Sequence, residues 1–130
     1  MIRKELILFC VAGTLGFVVD VAVLYSLLAL DAGFYVGRVV SFLLAAFTTW
    51  QFNRRYTFPS RQAAVSGWSE WMRYLYAMTL GAAINYLAYV STLQLVPMAW
   101  WLPMFGVAMG SVCGLVVNFL LARQWVFKSS

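Results

Sequence analysis

Four long apolar stretches constrain the fold of this chain more than any other feature of its sequence. They cover residues 6–30, 34–52, 72–96 and 101–121. A transmembrane helix needs about 20 mostly apolar residues, so each stretch is long enough to cross a bilayer. Only 10% of the 130 residues are charged, whereas a soluble domain carries about 25%. The sequence therefore predicts an all-α membrane protein with four transmembrane helices.

Basic residues predict the orientation of these helices. Lysine and arginine beside a span resist translocation and collect on the cytoplasmic side. Eight of the nine basic residues lie before the first stretch, between the second and third or at the very start of the third, or after the fourth, and only Arg38 lies near the other side. We therefore expect both termini in the cytoplasm. The net charge of +5 is attributed to membrane orientation rather than to nucleic-acid binding.

The chain also repeats its own pattern of small and polar residues. Gly16 and Asp20 recur 65 residues later as Gly81 and Asn85. A second set recurs after 69 residues, with Gly37, Ser41, Ala45 and Thr49 matching Gly106, Gly110, Gly114 and Asn118. The four-residue spacing puts each set on one helix face. The pattern predicts one domain of two helical hairpins, with repeat one at about 6–58 and repeat two at about 72–127.

The two hairpins would be parallel repeats. Each contains two spans, so both copies have the same orientation and are related by an axis along the membrane normal. Small residues let helix backbones approach closely in lipid. We expect the small-residue stripes chiefly to pack helices, and they also leave room for a ligand groove.

Several kinds of chemistry find no support in the sequence. The chain has no histidine, no nucleotide-binding loop and no Cys/His cluster, and its two cysteines lie inside different apolar stretches. The expectation is a protein that is not an enzyme and that carries no cofactor and no metal.

Asp20 is the strongest candidate for a functional residue because it lies near the centre of the first span. A charge at that depth costs about 2.5 kcal/mol or more unless it is paired or hydrated. Arg38 is its natural partner. The two form either a structural ion pair or a ligand site in which Arg38 binds phosphate and Asp20 accepts sugar hydroxyls or holds Arg38 in place. Asn85 and Val107 occupy the matching positions of the second repeat.

Two amides lie within the third and fourth spans. Asn85 and Asn118 are expected either to form hydrogen bonds between helices or to offer polar contacts to a sugar.

Each hairpin ends with cations beside aromatic residues. We call residues 53–58 (NRRYTF) the first basic-aromatic segment and residues 122–127 (ARQWVF) the second. One interpretation is the usual pairing of cytoplasmic cations with interfacial aromatics. The other is a docking place for a lipid phosphate, formed by Asn53, Arg54, Arg55 and Arg123. The connector 53–71 is expected to be a loop with at most one interfacial turn.

Together these features resemble the GtrA-like family of bacterial membrane proteins. The resemblance rests on four spans in about 130 residues, Asp20 after a glycine-rich stretch, Arg38 followed by Ser41 and Phe42, and the two basic-aromatic segments. It departs from the family pattern at Ala122 and Gln124, which weakens the case for a phosphate on Arg123.

The resemblance implies a role in cell-surface polysaccharide synthesis at the bacterial cytoplasmic (inner) membrane. A polyprenyl-phosphate-linked sugar, such as undecaprenyl-phosphate glucose, would move to the outer leaflet, where a membrane glycosyltransferase uses it. The expected function is thus that of a flippase for this lipid. Four helices make a thin pathway, so we also expect a homo-oligomer, a dimer or larger.

Two alternatives are kept open. The chain is a non-transporting anchor that recruits a membrane glycosyltransferase, or it is a proton-coupled exporter of small cations. Arg38 disfavours the exporter, because a nearby cation repels a cationic substrate.

Overall fold

Four long helices make up the protein in the computed structural model, which describes residues 2–59 and 67–127. They are α1 (Ile2–Ala29), α2 (Phe34–Phe52), α3 (Gly67–Leu95) and α4 (Leu102–Leu121). No strand occurs within these two ranges. The all-α prediction is therefore confirmed, and α2 coincides with the second predicted span.

The connector between the hairpins is more helical than expected. A turn of π-helix continues α2 over Asn53–Thr57, and α3 begins at Gly67, inside the predicted loop. The loop prediction was thus wrong at both ends of the connector, and its middle part, residues 60–66, lies outside the described residues. The error has a physical reason: Trp50 donates a hydrogen bond to Glu70 and Asn53 donates one to Tyr74 across the bundle. These contacts hold both ends of the connector in helical form.

The turn between α1 and α2 is tight. Asp31 and Gly33 both have positive φ angles, 62° and 87°. The carbonyl of Leu27 accepts hydrogen bonds from the amides of Leu30, at 3.1 Å, and Ala32, at 3.0 Å. This satisfies a carbonyl at the end of α1 and reverses the chain within a few residues.

A π-helical turn ends each hairpin. Asn53–Thr57 follows α2 and Ala122–Val126 follows α4. Each turn closes with an amide-to-carbonyl bond of 2.8 Å across five residues, Phe58 to Asn53 and Phe127 to Ala122. The wider turn directs both phenylalanines inward. Their rings stack at 5.2 Å between centroids, and both are fully buried.

Helices pack as two hairpins, α1 on α2 and α3 on α4. The closest approaches involve glycine. A Cβ added at Gly16 would overlap Thr49, and one added at Gly81 would overlap Asn118. The 65-residue shift relates Gly16 to Gly81, and the 69-residue shift relates Thr49 to Asn118. The same contact therefore occurs in both repeats. Glycine is needed at both places because any side chain would push the helices apart.

The outside of the bundle is apolar. Val18, Leu87 and Val112 are all more than half exposed, and an exposed apolar surface this extensive fits lipid better than water. By length and composition alone, α1 and the stretch Ala108–Val126 are long and apolar enough to cross a membrane, judged on the described residues. Arg38 lowers the hydropathy of α2, and Asn85 that of α3. Membrane crossing by α2 and α3 stays a prediction.

Candidate functional site

A cavity of about 690 Å³ lies between the four helices. This volume is in the range of small-molecule sites, about 300–1,000 Å³. Four of the residues predicted to bind substrate line the cavity: Asp20, Asn53, Asn85 and Asn118. They come from α1, the first basic-aromatic segment, α3 and α4. The fold therefore brings half of the predicted site to one place.

Glycines create the space for this cavity. Gly13, Gly16, Gly81 and Gly114 all belong to its lining. Three of them pack against another helix, whereas a Cβ added at Gly13 would meet nothing within 4 Å. The stripes of small residues thus do two things. They hold each hairpin together, and they leave a space between the hairpins that polar and apolar side chains line together.

Asp20 and Arg38 form an ion pair at the rim of the cavity. Nη1 of Arg38 donates to Oδ1 of Asp20 at 2.6 Å and to the hydroxyl of Ser41 at 3.3 Å. The side chain of Asp20 is 20% exposed and that of Arg38 is 57% exposed. Asp20 faces the cavity, while much of Arg38 lies outside it. The ion-pair prediction is borne out by this geometry, and the phosphate role of Arg38 stays a prediction.

Phe42 separates the cavity from a second, smaller one. This groove of about 320 Å³ is lined by Arg38, Val39, Phe42 and Leu43. Phe42 also lines the central cavity. An anion held by Arg38 would therefore have an apolar groove beside it on α2.

The two amides of the second hairpin each lie over a glycine of the facing helix. Asn118 covers Gly81, and Asn85 covers Gly110. The Oδ1 atom of Asn118 is buried and has no hydrogen-bond partner. A buried acceptor without a donor costs about 1–3 kcal/mol. The oxygen faces Gly81 and is closed off from the cavity, so this cost belongs to the close packing of α3 on α4.

Asn53 uses its amide within the protein. Its Nδ2 donates to the hydroxyl of Tyr74 at 2.9 Å, and its Oδ1 accepts from Thr57 at 2.7 Å. The hydroxyl of Tyr74 donates in turn to Thr49 at 2.7 Å. This chain of hydrogen bonds fixes the end of the cavity at the first basic-aromatic segment. A direct substrate contact by Asn53 stays a prediction.

Two of the three arginines predicted to dock a lipid phosphate, Arg54 and Arg123, have carboxylate partners. Nε of Arg54 lies 2.9 Å from Oε1 of Glu70, an ion pair without hydrogen-bond alignment. Nε of Arg123 donates to Glu5, also at 2.9 Å. Neither arginine lines the central cavity as described. Arg55 is exposed on the same segment as Arg54.

Both of these pairs join one hairpin to the other, and we call them the cross-hairpin ion pairs. Glu5 of the first hairpin pairs with Arg123 of the second, and Glu70 of the second pairs with Arg54 of the first. The glutamates are 65 residues apart and the arginines 69. Each hairpin therefore contributes an acid at its start and a base at its end.

Sequence reasoning missed Glu5, Tyr74 and the pairing of Glu70. A signal was present, because Glu5 and Glu70 obey the same 65-residue shift as Gly16 and Gly81. No such signal points to Tyr74, whose counterpart is the apolar Phe9. Its role follows only from the distance to Asn53 and Thr49.

Comparison with known families supports the resemblance. Residues 8–129 match the family described as GtrA/DPMS, transmembrane domain. A comparison with curated proteins finds no match. The family match includes nearly all of the four helices and both basic-aromatic segments, and it relates the protein to polyprenyl-phosphate-linked sugars. The chain is therefore a membrane protein that belongs to the GtrA/DPMS transmembrane-domain family.

Proposed function

We propose that this protein is a flippase that moves a polyprenyl-phosphate-linked monosaccharide from the cytoplasmic to the outer leaflet. The observation that carries the proposal is the central cavity. Asp20, three asparagines and other polar side chains line it among apolar ones, and apolar helices that suit lipid surround it. A lipid-linked sugar needs both environments, because its hydroxyls require polar contacts while its tail stays in lipid.

In this proposal, the place of each residue determines which part of the lipid it contacts. Asp20, Asn85 and Asn118 meet the sugar in the cavity. Arg38, which stays paired with Asp20, receives the phosphate at the rim, where its side chain is 57% exposed and a guanidinium can make a two-pronged contact. Arg55, with Arg54 and Arg123 beside it, attracts the phosphate at the opposite end of α2. Arg38 and Arg54 are 16 residues apart, which corresponds to about 24 Å along the helix at 1.5 Å per residue.

Arg38 and Arg55 would thus mark the outer and cytoplasmic sides. Both termini face the cytoplasm in this proposal, all four helices cross the inner membrane of a bacterium, and the hairpins are parallel repeats. The lipid is moved without any covalent change, so the protein acts as a transporter rather than an enzyme. Consumption of the sugar by a glycosyltransferase in the outer leaflet makes transport downhill.

Reconstitution tests this proposal. The purified full chain is placed in liposomes with a radiolabelled polyprenyl-phosphate hexose, and a membrane-impermeant periodate reagent cleaves the sugars exposed outside. We expect the protected pool to be lost much faster than in protein-free liposomes. Equal rates, from protein shown to be folded by size-exclusion chromatography, would reject the flippase. Recruitment of a glycosyltransferase without translocation would then favour an anchor.

A further inference from the structure

Each hairpin stacks an arginine on a tryptophan at the end of the bundle where the basic-aromatic segments lie. Cζ of Arg54 is 5.8 Å from the ring centroid of Trp50. Cζ of Arg73 is also 5.8 Å from the ring centroid of Trp125. Attraction to the ring holds a guanidinium over an aromatic face. Its N–H groups lie in the guanidinium plane, so stacking leaves them able to bind an anion.

The first of these stacks already contains its anion. Oε1 of the buried Glu70 accepts a hydrogen bond from Nε1 of Trp50 at 2.9 Å. The same oxygen lies 2.9 Å from Nε of Arg54. One carboxylate thus neutralises the arginine and gives the tryptophan an acceptor.

The second stack has the same kinds of donor without an anion. Within residues 2–59 and 67–127, no carboxylate pairs with Arg73 and no acceptor bonds to Nε1 of Trp125. Both groups donate hydrogen bonds and accept none. The second stack therefore lacks what Glu70 supplies to the first.

Arg73 is also held differently from other cations beside the spans. Arg3 and Lys4 are exposed near the start of α1, whereas Arg73 is half-buried near the start of α3. Tyr76 packs edge-on against Trp125, with ring centroids 5.7 Å apart. Cations beside aromatics are common at a membrane surface, but here a second ring fixes the tryptophan on which the arginine rests.

Comparison of the repeats shows that this cation is particular to the second hairpin. Gln124 takes the position of Arg55 in the second basic-aromatic segment. Leu8 is the counterpart of Arg73 under the 65-residue shift. The second hairpin thus lacks one arginine of the first and carries another beside its segment.

We propose that Arg73 and Trp125 form a binding site for a phosphate carried by a lipid. A phosphate oxygen takes the place that Oε1 of Glu70 has in the first stack, and the guanidinium binds the phosphate through two N–H groups. Trp125 is the positioning residue. The stack lies on the outside of the bundle, with Trp125 37% and Tyr76 63% exposed, so a membrane lipid reaches it directly. The site does not depend on the proposed flippase function, since binding requires no translocation.

Native mass spectrometry of the full chain in detergent tests the site with two phosphate-bearing lipids, a polyprenyl-phosphate hexose and phosphatidylglycerol. Arg73→Gln should weaken binding of at least one of them about tenfold. Lys4→Gln removes the same charge from an exposed position and should change little. Weaker binding of the hexose lipid alone assigns the site to that lipid, and weaker binding of phosphatidylglycerol, alone or with it, assigns the site to membrane phospholipid. Unchanged affinity for both lipids in folded Arg73→Gln protein, or equal weakening by Lys4→Gln, would overturn the proposal.

Two variants of the tryptophan test the stack itself and leave Arg73 in place. Trp125→Phe keeps an aromatic face under the guanidinium, whereas Trp125→Leu removes it. Binding of the same lipid should be about threefold weaker in Trp125→Leu than in Trp125→Phe. Equal affinities would overturn the proposal, and this pair decides it if Arg73→Gln does not fold.

Discussion

A single ion pair carries most of the charge near the middle of this protein. Asp20 and Arg38 are 2.6 Å apart, whereas Asn85 and Val107 occupy the matching positions of the second hairpin. Packing alone does not require these charges, because glycine contacts already join α1 to α2. The charged hairpin is therefore the one in which we place phosphate recognition.

Neutralising either partner tests this assignment. Asp20→Asn and Arg38→Gln should each slow hexose-lipid translocation by about tenfold or more, because one leaves Arg38 without its orienting carboxylate and the other removes the phosphate ligand. Arg38→Lys keeps the charge but loses the two-pronged contact, so its rate should fall in between. Liposome flux measures all three, and wild-type flux in folded Arg38→Gln protein contradicts the assignment.

Glycine positions differ in what they tolerate. Gly81→Ala would force its Cβ into Asn118, and we expect a loss of about 1–3 kcal/mol in stability. Gly13→Ala meets nothing within 4 Å and should be neutral or gain up to about 1 kcal/mol from helix propensity. Thermal unfolding in detergent compares the two. Adding Asn118→Ala should recover part of the Gly81→Ala loss, and strict additivity would argue against the contact.

At the scale of elements, the two hairpins are joined by the cross-hairpin ion pairs and by the stacked rings of Phe58 and Phe127. The π-helical turns make this possible, since each ends a helix with its phenylalanine directed inward. The second turn has Ala122 where the first has Asn53. The residue that corresponds to Tyr74 by the 65-residue shift is the apolar Phe9. Ala122 and Phe9 belong to the same buried apolar cluster, so no amide is needed there.

A charge exchange tests the cross-hairpin pairing. Glu5→Arg alone would place two cations together and Arg123→Glu alone two carboxylates, and each should lower the melting temperature. The double variant restores opposite charges, and most of the loss should be recovered. Glu5 and Arg123 suit this test because both are partly exposed, at 14% and 21%, which also limits the size of the effect. A double variant no more stable than the singles would exclude the pairing.

Helices were easier to predict than the contacts between them. Apolar length defined α2 from Phe34 to Phe52, and four-residue spacing identified Gly16 and Gly81 as close-packing positions. The helical structure at the ends of the connector was missed because it is stabilised by hydrogen bonds of Glu70 and Tyr74 to partners that are distant in sequence. The sequence identifies Asp20 as a costly charge in lipid and Asn85 and Asn118 as amides within spans, but their meeting in one cavity depends on how the hairpins face each other. Sequence spacing does not report that arrangement.

At the scale of the whole molecule, orientation follows from the basic residues at the ends of the hairpins. Reporters fused separately to the N-terminus and the C-terminus should both show activity typical of the cytoplasm, because flanking lysine and arginine resist translocation. A reporter that is active outside the membrane at either end would contradict the proposed direction of transport, with Arg55 at the cytoplasmic side and Arg38 at the outer side.

Passage of the sugar through the central cavity is the core of this account, and blocking the cavity tests it most directly. Gly13→Leu adds a side chain that projects into open space in the cavity, whereas Val18→Leu changes a residue of α1 that is 57% exposed on the apolar outside. Both proteins should be as stable as wild type. We predict that flux of the polyprenyl-phosphate hexose in liposomes falls about tenfold or more in Gly13→Leu and is unchanged in Val18→Leu. Equal, wild-type flux in the two variants would show that the sugar does not pass through this cavity.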